Sequence, residues 1–267
     1  MLRPPRNTVH KKSSLRLRVC VAILNHLHLK RIVVRGLEHL QTIRSDQKII
    51  IVTTHLGDLD VPAAMGIMGE YVDLVVANES VQHFFWKRMR INLSLHLAGI
   101  WNFLPIEYQD IEHEARGFFH AADFLRMKRA LDTGKTLLVA GHNPALQNEL
   151  PRGGYGAVYV HEITDRAVIL PVTVNVRSSQ IIDVYHAPHL FSRPIADLII
   201  HPPMHIKKIT NLEQFTQLAK KRLRDIRLTP EEHVLYAGVR EALQVESDKI
   251  MRVLASALPQ EKRGKYH

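Results

Sequence analysis

A histidine and an aspartate stand five positions apart where a run of β-branched residues ends. The run occupies residues 49–54 of the stretch IIIVTTHLGDLDVPAA, and it leads directly into His55, with Asp60 five residues later. An imidazole whose second ring nitrogen is held by a carboxylate can remove a proton from a hydroxyl group. The pair therefore predicts a general base, His55, and the carboxylate that orients it, Asp60.

The two side chains can meet only if the chain turns between them. On a single helix, positions five apart lie about 140° apart around the axis, so the side chains would diverge. We expect a strand to end near Thr54 and a helix to begin near Asp60, with Gly57 easing the turn between them. Ligands of open α/β sheets bind at the carboxyl ends of strands, which is where this turn would lie.

A purely structural interpretation of the same residues is also open. Asp58 or Asp60 would then cap the helix that follows, and His55 would belong to a surface turn. For an isolated histidine and aspartate this is the commoner outcome. The choice depends on the rest of the chain.

The elements that would position the pair alternate between strands and helices. Short β-branched runs predict strands, and apolar residues spaced by three and four predict helices. The predicted strands are RIVVRG (31–36), KIIIVTT (48–54), VDLVVAN (72–78), WNFLPIEY (101–108), TLLVAG (136–141), AVILPVTVNV (167–176), IIDVYHA (181–187) and LIIHPPMHIK (198–207). The predicted helices cover residues 15–31, 61–69, 80–98, 113–131, 212–224 and 230–258.

This alternation predicts a single α/β domain with a mixed, mostly parallel sheet flanked by helices. We expect this α/β domain, residues 31–210, to follow a basic tail and amphipathic helix over residues 1–30, and to precede a C-terminal helical extension over residues 211–267. Gly134 is predicted to end one helix as its C-cap. Thr229 is the predicted N-cap of the last helix, with Pro230 and Glu232 completing the signal for its start.

The order of these segments resembles the glycerophospholipid acyltransferase family, which includes the lysophosphatidate and glycerol-3-phosphate acyltransferases. Successive matches are IVVRGLEHL, the strand that ends in His-x4-Asp, VANESVQHFFWKRMRINL, GKTLLVAGHNP, ELPRGGYGAVYVHE and AVILPVTVNV, over roughly residues 31–205. The His-x4-Asp in its strand context is the most specific of them.

The resemblance implies an acyltransferase with His55 as the base and Asp60 as its orienter. The co-substrate would be an acyl thioester, acyl-CoA or acyl-carrier protein, and the acceptor a hydroxyl of a lysophospholipid or related lipid. Substrate contacts would come from Gly141, Arg152 and Gly153. No other cofactor and no metal is implied.

The chain departs from the family pattern mainly where the acceptor would bind. Thr54 replaces the usual asparagine before the histidine, and Tyr108 stands where a phosphate-binding arginine would be. In the third motif Ala140 takes the place of glutamate, and His142 and Asn143 take those of threonine and arginine. The donor half of the reaction is therefore better supported than the acceptor half.

The sequence indicates neither a covalent acyl-enzyme nucleophile nor a metal site. It has no Gly-x-Ser-x-Gly, and its one cysteine, Cys20, falls in the N-terminal helix, so no covalent acyl-enzyme nucleophile is indicated. The chain has 17 histidines, but the closest groups, HAPH and HPPMH, lack the acidic partners and helical spacing of a metal site. A histidine base without a nucleophilic serine fits the direct attack of an acceptor hydroxyl on an acyl thioester that the resemblance implies.

The charge of the chain predicts anionic partners. Its net charge is +10 and its pI is near 9.8, which favours an anionic membrane surface, phosphate-bearing ligands or nucleic acid. No nucleic-acid-binding motif is present, so we do not expect nucleic acid as a partner. The single cysteine and the lack of a roughly 20-residue apolar run or a signal-peptide cleavage site predict a cytoplasmic protein, held peripherally at the inner face of the membrane.

A second function class remains open. The same fold could serve a catalytically silent, basic protein that binds a membrane or nucleic acid. An acyltransferase should have an apolar tunnel for the acyl chain that opens beside His55, whereas a binding protein need not.

Overall fold

Seven strands form one sheet at the centre of the protein. The structure, a computed structural model, describes residues 15–57, 59–68, 72, 74–78, 103–106, 121–142, 149–178, 193–224 and 226–267. The strands in this part of the chain are β1 (Arg31–Arg35), β2 (Lys48–Thr53), β3 (Leu74–Asn78), β4 (Phe103–Ile106), β5 (Leu137–Ala140), β6 (Ala167–Val176) and β7 (Ile195–Ile200).

The sheet is mixed and mostly parallel. Its strand order is β1-β7-β6-β2-β5-β3-β4, and every neighbouring pair is parallel except β6 and β7. Strand β2, which leads into His55, is the middle strand of the seven. The predicted fold class, a single α/β domain with a mixed, mostly parallel sheet, is confirmed.

Helices cover both faces of the sheet. They are α1 (Leu15–His28), α2 (Asp60–Met68), α3 (Ala121–Asp132), α4 (Gly156–Glu162), α5 (Leu212–Leu223) and α6 (Pro230–Ser256). On one face, Ile51 of β2 packs in a buried cluster with Met68 of α2 and Leu29 after α1. On the other face, Val52 packs with residues of α3 to α6, among them Leu254. Burial on both faces explains why β2 and β6 are almost continuously apolar rather than alternating.

The helices after residue 210 complete the second face of the sheet. Phe215 of α5 and Leu254 of α6 are wholly buried in the same cluster as Ile50 and Ile169 of the sheet. The hydroxyl of Thr173 also donates a hydrogen bond to the carbonyl oxygen of Leu254 (2.8 Å). The domain boundaries expected near residues 30 and 210 stay predictions.

The predicted helix ends are present where the sequence signals lie. Thr229 caps α6 with a capping box to Glu232, and Pro230 is its first helical residue. Gly134 follows α3 with a φ of 79°, the left-handed conformation that lets glycine end a helix.

The prediction for the last strand is shifted from its true position. β7 begins at Ile195, three residues before the predicted segment, and ends at Ile200. The residues that follow, His-Pro-Pro, cannot continue it because proline has no N–H to donate to a strand partner. Met204 then exchanges two backbone hydrogen bonds with Ile169 of β6 (2.7 and 3.2 Å).

Several predicted features lie outside the described residues. They are the basic tail 1–14, the helix 80–98, the first part of the helix 113–131, the strand 181–187, and the single residues Asp58, Tyr108 and Asn143.

Candidate active site

Thr54 determines where the histidine is placed. It follows the last residue of β2, and its buried hydroxyl donates to the carbonyl oxygen of Val174 (2.9 Å) and accepts from the N–H of Val174 (2.8 Å). The side chain thus takes over the pairing with β6 that the backbone of β2 no longer makes. His55, half-buried, comes next, beyond the carboxyl end of the middle strand.

Asp60 holds the turn that follows. It is the first residue of α2 and only 1% exposed. Its Oδ2 accepts hydrogen bonds from the backbone N–H groups of Leu56 and of Gly57, the latter at 3.0 Å. A buried carboxylate requires such donors, and charge-assisted bonds are stronger than neutral ones.

The imidazole of His55 is oriented by the same turn. Its Nδ1 lies 3.2 Å from the carbonyl oxygen of Gly57. A carbonyl only accepts, so this hydrogen bond requires the proton on Nδ1 and leaves the basic lone pair on Nε2. Asp60 therefore fixes the N–H of Gly57, and the carbonyl of the same residue holds the ring of His55.

His142 is a second histidine at this edge of the sheet. It follows Gly141 at the end of β5 and is 5% exposed, and its Nε2 accepts a hydrogen bond from the backbone N–H of His55 (3.0 Å). The N–H of Gly141 donates to the carbonyl oxygen of Thr53 (2.9 Å), which extends the pairing of β2 and β5 up to the site. The motif comparison treated His142 only as a departure from the family pattern. Its position directly after the neighbouring strand was the signal that could have placed it beside His55.

Gly141 and Gly153 both lie in close contact with α6. A Cβ on Gly141 would lie 3.0 Å from the side chain of Val52 and 3.2 Å from the sulfur of Met251. A Cβ on Gly153 would lie 2.3 Å from Cγ of Met251. Tight packing accounts for both glycines, and their predicted contact with substrate stays a prediction.

Arg152 is exposed on a loop that is tied to the site edge. The N–H of Gly154 donates to the carbonyl oxygen of Gly141 (3.0 Å), which anchors the loop beside β5. Gly153 donates to the hydroxyl of Tyr266 (3.0 Å), which in turn donates to Asp248 (2.9 Å). Burial raises the pKa of Tyr266 to about 12, so its hydroxyl keeps the proton that it donates. The predicted substrate contact of Arg152 is untested by this geometry, but the side chain is accessible.

Lys262 is a buried residue of this edge that the sequence analysis did not identify. It lies after α6 and is 7% exposed, and its Nζ donates to Oδ1 of Asn175 (3.1 Å) and to the carbonyl oxygen of Val176 (2.8 Å). Burial lowers the pKa of Lys262, while the charge of Asp60 and that of Glu261 act to raise it. A lysine in a polar segment such as PQEKRGKYH is ordinarily exposed, so no pattern could mark this one.

A cavity of about 710 Å³ adjoins Lys262 at the carboxyl end of β6. Its lining includes Asn175, Arg35 and Arg177, but neither His55 nor Asp60. It is therefore not the apolar tunnel expected beside His55.

Within the described residues, no three histidine, cysteine, aspartate or glutamate side chains are placed to hold a metal ion. No helix in the same residues combines the length and apolarity needed to cross a bilayer.

Comparisons with known proteins show a likeness in structure but none in sequence. No protein-family model matches the sequence, and no curated protein does. The crystal structure of the 1-acyl-sn-glycerophosphate (LPA) acyltransferase, PlsC, from Thermotoga maritima is similar at 17% identity and a TM-score of 0.43, over 84% of this chain and 78% of that one. A similarity at that level carries no weight for function, so the chemistry of the site rests on the geometry of this chain.

Proposed function

We propose that this protein is an O-acyltransferase that moves a fatty acyl group from an acyl thioester to a hydroxyl of a lysophospholipid or related lipid. The observation that supports it most is the orientation of His55 beyond the carboxyl end of β2. Its Nδ1 lies 3.2 Å from the carbonyl oxygen of Gly57, and the buried carboxylate of Asp60 accepts a hydrogen bond from the N–H of the same residue.

The reaction needs only one base. Nε2 of His55 removes the proton of the acceptor hydroxyl as its oxygen attacks the thioester carbonyl. The new C–O bond forms, the C–S bond breaks, and the proton passes from the imidazolium to the departing thiolate. The products are an ester and a free thiol, and no other reactant is consumed. A positioned base of this kind contributes about 10²–10⁴-fold to the rate.

The donor would be acyl-CoA or acyl-carrier protein, and Arg152 is the proposed contact for an anionic group of a substrate. Its guanidinium is exposed on the loop that the Gly154–Gly141 hydrogen bond anchors beside the site. Arginine binds phosphate and carboxylate groups well because its planar fork can donate two hydrogen bonds at once.

A lipid acceptor would require contact with a membrane, for which α1 is the proposed surface. Val19, Ile23 and Leu27 lie at every fourth position of this helix and are 48%, 54% and 38% exposed. A helix with such an exposed apolar stripe can lie in the headgroup region of an anionic leaflet, to which a net charge of +10 would also attract the chain. We propose that the protein acts peripherally at the cytoplasmic face of the membrane.

Release of free thiol from palmitoyl-CoA by the purified protein tests this proposal. Two results together would support it. Thiol release requires a mixed lysolipid extract, and its rate falls by about 10²-fold or more in His55→Ala. His233→Ala is the matched control, because His233 is exposed near the start of α6, about 30 Å along the helix from Leu254.

Equal thiol release by the wild type and His55→Ala would contradict the proposal with acyl-CoA as donor. The same comparison with an acyl-carrier-protein donor then decides between a different donor and a protein that binds without turnover.

A further inference from the structure

Tyr266 places a buried hydroxyl against the loop that bears Arg152. The residue is 8% exposed. Its hydroxyl accepts a hydrogen bond from the N–H of Gly153 (3.0 Å) and donates one to Oδ1 of Asp248 in α6 (2.9 Å). A buried hydroxyl is costly unless it is paired, and this one is paired both as donor and as acceptor. Tyr266 thus connects α6 to the backbone of the loop.

The hydrogen bonds around Gly153 form a closed ring. Nε2 of Gln244 donates to the same Oδ1 of Asp248 (3.1 Å) and also to the carbonyl oxygen of Gly153 (3.1 Å). The N–H of Gly153 is therefore held by Tyr266 and its carbonyl by Gln244, and both side chains meet at one carboxylate. A network in which every member is paired is rigid, so the peptide groups on both sides of Gly153 are fixed.

Two further hydrogen bonds fix this ring relative to His55. The N–H of Gly154 donates to the carbonyl oxygen of Gly141 (3.0 Å), and the N–H of Gly141 donates to that of Thr53 at the end of β2 (2.9 Å). His55 is the second residue after Thr53. The loop is thus joined to the strand that leads to the histidine.

The segment that carries Tyr266 is itself held close to the loop. The N–H of Leu150 donates to the carbonyl oxygen of Lys262 (2.9 Å). A Cβ on Gly264 would lie 2.1 Å from the carbonyl oxygen of Leu150. Gly264 also has a φ of 56°, in the left-handed region that favours glycine. Only glycine fits at this position, so the sequence permits the close approach that brings Tyr266 to the loop.

We propose that Tyr266 is a positioning residue for Arg152, whose guanidinium it keeps within reach of an anionic group of a substrate beside His55. The effect on the substrate rests on the function proposed above. Arg152 directly precedes Gly153, and its exposed side chain is long and flexible. A fixed backbone limits the volume that such a side chain explores, so less entropy is lost when the guanidinium binds phosphate or carboxylate.

The structural part of the proposal is measured by amide hydrogen exchange, which needs no activity. In Tyr266→Phe the N–H of Gly153 loses its acceptor, so we expect its exchange to accelerate by about tenfold or more. Tyr159→Phe is the matched control, because the hydroxyl of this buried tyrosine bonds Thr216 (2.6 Å) rather than the loop. Unchanged exchange at Gly153 in Tyr266→Phe would overturn the proposal.

The catalytic consequence is read from the KM values for palmitoyl-CoA and for the lysolipid extract, and from kcat. Arg152→Gln should raise the KM of the substrate that Arg152 contacts by about tenfold, with kcat nearly unchanged. Tyr266→Phe should raise the same KM about threefold or more, and Gln244→Met, which removes the other side chain of the ring, should act in the same direction. In the double variant Arg152→Gln, Tyr266→Phe, the second change should add little, because Tyr266 acts through Arg152.

Two kinetic outcomes would count against the proposal. If Arg152→Gln changed neither KM, the arginine would contact neither substrate. If Tyr266→Phe had the same effect with and without Arg152, the tyrosine would act only through the stability of the fold. A wild type that turned over no acyl thioester would refute the proposed function and the effect on the substrate with it, whereas amide exchange would still show whether Tyr266 holds the loop.

Discussion

The carboxylate of Asp60 stabilises the turn between β2 and α2. The sequence left open whether it caps a helix or orients a base, and its role in orienting His55 stays a prediction. It accepts hydrogen bonds from the N–H groups of Leu56 and Gly57, which precede α2, and the carbonyl oxygen of Gly57 lies 3.2 Å from Nδ1 of His55. The structural role is observed, and the catalytic role follows from it as a proposal.

Thr54 should be needed for stability through its hydroxyl rather than its size. Thr54→Val keeps the shape but leaves the N–H and the carbonyl of Val174 without this partner in a buried place. We expect the free energy of unfolding, measured by urea denaturation, to fall by about 2–4 kcal/mol.

Thr54→Ser is the control, because it keeps the hydroxyl and loses one methyl group, which costs about 1 kcal/mol. If the serine variant were as unstable as the valine variant, packing and not hydrogen bonding would be the contribution of Thr54.

How far the site could be predicted depends on how local each residue's surroundings are. His55 and Asp60 lie on one short turn, so their spacing was informative. His142 and Lys262 reach the same edge from distant parts of the chain. His142 lies 87 positions from its partner His55, and Lys262 lies 87 positions from its partner Asn175. For His142 the position just after β5 was a usable signal, whereas no periodicity or spacing marked Lys262.

At the scale of elements, α6 is the surface on which the site loops rest. It spans 27 residues, and its side chains contact Gly141 and Gly153 through Met251. Gln244 donates to the carbonyl of Gly153 (3.1 Å), and Ser247 donates to that of Gly154 (3.0 Å). The loop that bears Arg152 is thus held along one side of this helix.

Adjacent glycines of that loop should respond very differently to alanine. In Gly153→Ala the new methyl group would overlap Met251, so we expect a loss of about 1–3 kcal/mol in the free energy of unfolding. Gly154→Ala places its methyl group in open space, with no atom within 4 Å, and should be near neutral. Thermal or urea denaturation of the pair measures this, and equal losses would show that α6 yields to the added group.

The bounds of a strand were predictable where the apolar pattern of its residues matches the burial of its faces. β6 has the predicted bounds because its ten residues are mostly apolar and β-branched, as expected of a strand buried on both faces. The prediction for β7 was displaced toward the prolines. The strand IADLII alternates between half-buried and buried residues, and this pattern is weaker in sequence than the apolar run LII that precedes the prolines. The antiparallel direction of β7 depends on the return of the chain to β6, which no local pattern encodes.

At the scale of the whole molecule, the unfolding free energy should fall as the solution becomes mildly acidic. Burial lowers the pKa of His161 and that of His201 below the ordinary 6.5. The unfolded chain then binds more protons than the folded one as the pH drops through that value, so stability present above about pH 6.5 is lost below it.

Urea denaturation between pH 7.5 and 5.5 measures this dependence. The double variant His161→Gln, His201→Gln should show a flatter profile, and His233→Gln, an exposed control, should not. A wild-type profile that is itself flat across this range would contradict the expectation.

Membrane binding should depend on both charge and the exposed stripe of α1. We expect cosedimentation with phosphatidylglycerol vesicles that weakens as salt rises, and little with phosphatidylcholine. Val19→Ser with Ile23→Ser should weaken binding roughly tenfold or more. Val234→Ser is the control, because Val234 is 75% exposed on α6, and an equal effect of that change would contradict a role specific to α1.

The hydrogen bonds between Thr54 and Val174 join residues 120 positions apart. The first strand in the chain, β1, pairs with the last strand, β7. A chain whose central contacts span such distances folds slowly, because long loops must close before the contacts that reward them can form. During refolding, helical signal should therefore return before His55 is in place, and any activity that depends on this histidine should recover last.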